Sequence, residues 1–99
     1  MLENSTNHPD TKYRCNPEVI SRQIGEETIL INLTTNRIFT LNMTGGRFWE
    51  LLRDEQDISK IHEQMLKEFN VDPLKLSEEI LSMLEQMQTE NLILVDASR

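Results

Sequence analysis

The chain has 99 residues, one cysteine and a formal charge of −7, from 17 acidic against 10 basic side chains. That length fits one domain with a modest core and leaves little room for an elaborate catalytic cleft. The negative field repels phosphate backbones and anionic lipid, which argues against nucleic-acid and membrane partners, and a lone cysteine excludes an internal disulfide or a cysteine-held zinc.

No apolar run approaches the roughly 18 residues needed to span a bilayer. The start, MLENSTNHPDTKYR, lacks the basic-then-apolar order of a signal peptide. The expectation is an unexported, cytoplasmic protein.

Residues 1–16 are mostly Asn, Thr, Asp, Pro and charged groups, with Leu2 and Tyr13 the large apolar side chains, so little offsets the entropy of ordering them. They read as a flexible N-terminal tail, and residues 17–99 as the folded domain. From Pro17 the pattern changes. PEVISRQI and TILINLTT flank a GEE break, with Ile29, Ile31 and Leu33 on alternate positions, which predicts strand, turn, strand. Asn36 suits the left-handed backbone of a tight hairpin, and RIFTLN continues as a third antiparallel strand with Phe39 and Leu41 inward and Ile38 and Thr40 outward.

After Asn42 the period lengthens. Phe48, Trp49, Leu51 and Leu52 fall at helical spacing, and that helix should end near residues 54–57. Asp57 is placed to cap a second helix carrying the stripe Ile58, Ile61, Met65 and Phe69. Asp72 and Pro73 then open a third, with Leu76, Ile80, Met83, Leu84 and Met87 along it. The closing LILV is read as a short strand or a helix tail. Three strands followed by three helices make an α+β fold of winged helix-turn-helix type.

Gly45 and Gly46 precede a helix as in a phosphate loop, but no Lys-Ser or Lys-Thr follows and no third glycine is spaced for it. A structural corner fits better: Asn42 or Thr44 accepts from the first turn, and the missing Cβ atoms let the helix start lie against the sheet. His8, His62 and Cys15 are too scattered to hold a metal, with His62 expected on the outer face of its helix and Cys15 outside the core. No nucleophile-base arrangement or carboxylate pair emerges, so neither catalytic residues nor a cofactor are expected. The alternative is a winged-helix transcriptional regulator. Its recognition helix would carry Asp72, Glu78, Glu79, Glu85 and Glu90 against Lys75 alone, a net of −4 that the DNA groove would repel.

Peptide binding has a clearer mechanism. In a three-stranded meander the middle strand is paired on both sides, which leaves strand 37–42 with a free edge that an extended peptide can join. The third helix would form the side wall, and its methionines can repack around different ligands.

The stretch RIFTLNMTGGRFWELL, with TILINL before it and VDP plus a long helix after it, resembles the PqqD family. The family pattern of a strand followed by LN-x-TG-x-x-x-W-x-L-L is met by Leu41, Asn42, Thr44, Gly45, Trp49, Leu51 and Leu52, and the resemblance spans roughly residues 17–95. It implies a precursor-peptide recognition element that binds the leader of a ribosomally made peptide as a strand added beside the third helix. Such proteins present the precursor to a radical SAM enzyme in quinone-cofactor (PQQ) assembly or to a leader peptidase in lasso-peptide assembly. The general look of TLNMTGGRFWELL and NVDP leans toward the lasso type. The implied binding strand is Arg37, Ile38, Phe39, Thr40 and Leu41, and the implied helix wall is Leu76, Ile80, Met83, Leu84 and Met87. Gly46 departs from the alanine or other helix former common there, and no contact residue depends on it.

Overall fold

The structure is a computed structural model that describes residues 12–54 and 57–96, the side chain of Asp96 apart. Two turns set the sheet. Gly25, at φ +62°, takes the first place of the two-residue turn between β2 (Val19–Ile24) and β3 (Glu27–Asn32). This left-handed backbone is nearly free of cost for glycine alone. Asn36, also at φ +62°, closes the four-residue loop to β4 (Arg37–Leu41), and its N–H donates to the Asn32 carbonyl at 2.7 Å. The sheet order is β2-β3-β4, all antiparallel, with β3 in the middle.

The faces of this sheet run against the obvious apolar alternation. Thr28, Leu30 and Asn32 are the buried residues of β3, and their partners Leu41, Phe39 and Arg37 share that face. Ile29 and Ile31, the more conspicuous apolar pair, lie on the other face with Ile20 and Ile38. On β4 the expected orientation holds: Phe39 and Leu41 pack against the core, while Ile38 and Thr40 are exposed.

Helix α1 (Met43–Asp54) starts directly from β4, and the Asn42 Oδ1 accepts from the Gly45 N–H at 2.9 Å. Gly46 lies against β3, where an added Cβ would run into the Thr28 Oγ1 and come within 3.2 Å of the Thr28 Cβ. Only glycine permits this approach of helix to strand. The helix thereby sinks Phe48, Trp49 and Leu52 into the core, and truncating a tryptophan buried this way costs about 3–5 kcal/mol.

Helix α2 (Ile58–Glu68) is capped by Asp57, which accepts from the Ser59 N–H at 3.0 Å, and α3 (Pro73–Thr89) by Asp72, which accepts from the Lys75 N–H at 3.3 Å. Ile61 and Met65 of α2 and Leu76, Ile80, Leu84 and Met87 of α3 complete the core. Arg47 clamps α1 to α2 with a two-pronged pair on Glu68, both contacts at 2.7 Å, and a third contact to Glu50 at 2.9 Å. His62 departs from its expected outer-face position: its Nε2 lies 3.1 Å from the Pro73 carbonyl and 3.0 Å from the Ser77 Oγ, joining α2 to α3.

At the end of α3, Asn91 adopts φ +58°, the Asn91 N–H donates to the Gln88 carbonyl at 3.0 Å and the Leu92 N–H to the Met87 carbonyl at 2.8 Å. This left-handed cap stops the helix and turns the chain into a strand. LILV is therefore largely β5 (Ile93–Asp96), paired antiparallel with β1 (Lys12–Cys15). Here the expected tail is corrected at its inner end. Residues 12–15 form a strand with Tyr13 buried, and Cys15 packs against the core instead of lying outside it. The remainder of the expected tail, residues 1–11, lies outside the described residues.

Candidate functional site: the groove between β4 and α3

Among the described residues β4 pairs only with β3, so its other edge carries backbone N–H and C=O groups with no strand beside them. A groove of about 580 Å³ runs along this edge. Phe39, Thr40 and Leu41 form one side, and Ser82, Met83, Glu85, Gln86, Met87 and Thr89 of the α3 half nearest its C-terminus, with its cap Glu90, form the other, and Leu92 also lines it.

The two walls are fixed to each other at one end by Asn32. Its side chain is fully buried, its Oδ1 accepts from the Thr34 and Thr35 N–H groups at 2.9 and 3.2 Å, and its Nδ2 reaches the Glu90 and Asn91 carbonyls at 3.3 and 3.4 Å. Asn16 adds a second amide on the Asn91 carbonyl at 2.8 Å. Outside, Arg37 pairs with Glu90 at 3.1 Å while its guanidinium carbon sits 5.4 Å from the centre of the Phe39 ring. A solvated pair of this sort adds little stability, but it spans from strand to helix at the mouth of the groove.

The residues expected at the site divide into three groups. Phe39, Thr40, Leu41, Met83 and Met87 line the groove together. Leu76, Ile80 and Leu84 share their helix but are buried in the core and do not reach the groove. Arg37 flanks its mouth, and Ile38 projects from the opposite face of the sheet. Ser82, Glu85, Gln86, Thr89 and Glu90 were not expected, because an apolar stripe marks what a helix buries and not which polar flank borders a groove. Asn32 was also missed, since an asparagine ending a strand reads as turn chemistry.

Among the described residues the titratable groups with shifted behaviour lie away from the groove. Arg47 and then Gln64 hold Glu68 down to about 2, and the hydrogen bonds to Glu68 and then Glu50 push the Arg47 guanidinium up. Burial pushes the Cys15 thiol up to about 11, partly offset by the positive charge of Arg53. Among the described residues no group of three or more His, Cys, Asp and Glu side chains could hold a metal ion, and no helix is long and apolar enough to cross a membrane.

The family model for PqqD, coenzyme PQQ synthesis protein D, matches residues 27–93, from the first residue of β3 to the first of β5. The chain belongs to the PqqD family. The matched stretch contains β4, the Leu41–Leu52 motif and all of α3, hence every element of the groove. Two solved structures share the PqqD fold of this chain. One is TbiB1 in complex with the TbiA(beta) leader peptide, at 25% identity and a TM-score of 0.76 over 81% of this chain and 93% of that one. The other, lasso peptide synthetase B1 complexed with the leader peptide, is 17% identical with a TM-score of 0.74, covering 83% of this chain and 96% of that one. At that identity the second likeness is one of fold. No curated protein matches the chain.

Proposed function

We propose that this PqqD-family protein is a recognition element that binds the leader segment of a ribosomally made precursor peptide. The leader joins the free edge of β4 as a further strand, beside α3, and is delivered to a modifying enzyme or leader peptidase of a lasso-peptide or PQQ-like pathway, the lasso type being preferred. The protein itself contributes no catalytic residue. The observation that carries this reading is the β4 edge, unpaired among the described residues, opening directly onto the groove. Main-chain hydrogen bonds along such an edge supply affinity for any extended chain, and the pocket formed by Phe39, Leu41, Met83 and Met87 supplies selectivity for alternate side chains. The likeness to TbiB1, solved with a leader peptide, supports it.

The DNA-binding alternative gains nothing from the geometry. Glu78, Glu79 and Glu85 are exposed on α3, the helix that would have to approach phosphates. Weak or absent retention on heparin at low salt is the expected behaviour.

The test is calorimetric titration with a synthetic leader of the candidate precursor peptide, on the wild type and on Thr40→Pro. The wild type should bind well below about 100 μM, a limit corresponding to about 5 kcal/mol. Thr40→Pro should lower affinity at least tenfold while the circular dichroism spectrum stays that of the wild type, because proline removes a main-chain donor and disfavours pairing. No binding of the wild type, or equal binding by a folded Thr40→Pro variant, would remove the basis of the proposal.

A further inference from the structure

The face of the sheet turned away from the helices carries an isoleucine row that crosses all three strands in register. Ile20 of β2 pairs with Ile31 of β3, and Ile31 pairs with Ile38 of β4. Its outer members are the exposed ones, Ile20 at 47% and Ile38 at 65%. Cross-strand neighbours on a sheet face are the unit that shields such side chains, and among the described residues Ile38 lacks one on the side where the β4 edge is open. This residue therefore belongs both to the apolar row and to the edge beside the groove.

Side chains of a strand alternate between faces, so any chain added to β4 sends one set toward Phe39, Leu41 and α3, and the other set to the outer face beside Ile38 and Thr40. We infer that the leader is read on both faces: an outward-facing apolar side chain, β-branched or aromatic, stands next to Ile38 and extends the Ile20–Ile31–Ile38 row by one strand. This rests on the strand-addition reading and adds a selectivity position to it outside the groove. The β2 edge is the other end of the row, and the groove walled by α3 lies at the β4 end. The row alone thus marks two edges, and its meeting with the groove selects β4.

The test works without the sequence of the natural leader. A display library of random ten-residue peptides is selected in parallel on the wild type, Ile38→Lys, Ile38→Thr and Ile20→Lys. Both Ile38 and Ile20 are exposed, so these variants should fold, and thermal unfolding checks that they do. The wild type is expected to enrich extended sequences with two interleaved apolar sets. Ile38→Lys should convert one position of the outward set from apolar to acidic, Ile38→Thr should relax that position, and the inward set should persist in both. For one enriched peptide, affinity for Ile38→Lys should fall about fivefold and return when the outward residue is changed to Glu. Ile20→Lys should select as the wild type does.

Unchanged selection by both Ile38 variants, with the wild type still enriching strand-like peptides, overturns the two-face inference and leaves strand addition standing. A shift in selection with Ile20→Lys and none with Ile38→Lys places the added strand on β2 and overturns it as well. No enrichment by the wild type overturns strand addition itself.

Discussion

The side-chain amide of Asn32, buried at the end of β3, donates to the backbone carbonyl of Glu90 at 3.3 Å across a separation of 58 residues. Through it the hairpin that presents β4 and the end of α3 that walls the groove are one piece. Asn32→Ala would leave the Thr34 and Thr35 N–H groups and the Glu90 carbonyl without that partner. The expected loss is about 1–2 kcal/mol in urea unfolding, since a buried amide and the hydrogen bonds that tie the hairpin to the end of α3 are removed together. Asn32→Asp should also destabilise, because a carboxylate would face the two carbonyls that the amide now serves.

Gly46 and Gly45 should respond differently to alanine. At Gly46 the new Cβ would strike the Thr28 Oγ1, whereas at Gly45 its nearest neighbour is the Leu41 Cβ at 3.3 Å. Gly46→Ala is expected to lower stability by about 1–3 kcal/mol despite the better helix propensity of alanine, and Thr28→Ala should restore part of the loss. Gly45→Ala should be closer to neutral. Thermal unfolding of the four proteins checks this.

The Arg47–Glu68 clamp should appear on the acid side of the stability profile. Glu68 titrates near 2 in the folded chain, below its unfolded value, so the unfolded chain binds the proton first as pH falls. The clamp's contribution is fully present above the usual carboxylate range and disappears as pH drops through about 2. Denaturation followed from pH 6 to pH 2 should show Glu68→Gln less stable than the wild type at the upper end, with the difference shrinking toward the lower end. Solvent exposure of the pair limits its size.

Cys15 should be slow to alkylate. With the thiol pushed up to about 11 and the side chain against the core, the thiolate is scarce at neutral pH. Iodoacetamide labelling followed by mass spectrometry should proceed at least tenfold faster in 6 M guanidinium than under native conditions.

Local chemistry was legible in the sequence. Asn36, Asp57, Asp72 and Pro73 act through neighbours within four residues, and each serves in the turn or cap its type suggests. The order β2-β3-β4 and the helix succession follow from period and pairing, which also leave the edge of strand 37–42 open, while its residues as a binding strand were implied by the family resemblance. What escaped depends on distant partners. Lys12–Cys15 has one large apolar side chain and becomes a strand because β5, some 80 residues later, lies beside it. The stripe of α3 shows which side is buried, but the groove is bordered by the flank next to it, so Leu76, Ile80 and Leu84 went to the core and Glu85, Gln86 and Glu90 to the site. Around β3 the alternating apolar residues Ile29, Ile31 and Leu33 catch the eye, yet Leu30 faces inward because Thr28 and Asn32 have specific work against Gly46 and the end of α3.

The most direct measurement of the central claim is backbone hydrogen exchange with and without the synthetic leader. Strand addition predicts that protection rises within residues 37–42, with a smaller rise at 82–92, while α2 is unchanged. Saturation with leader that leaves residues 37–42 exchanging as in the free protein would contradict it.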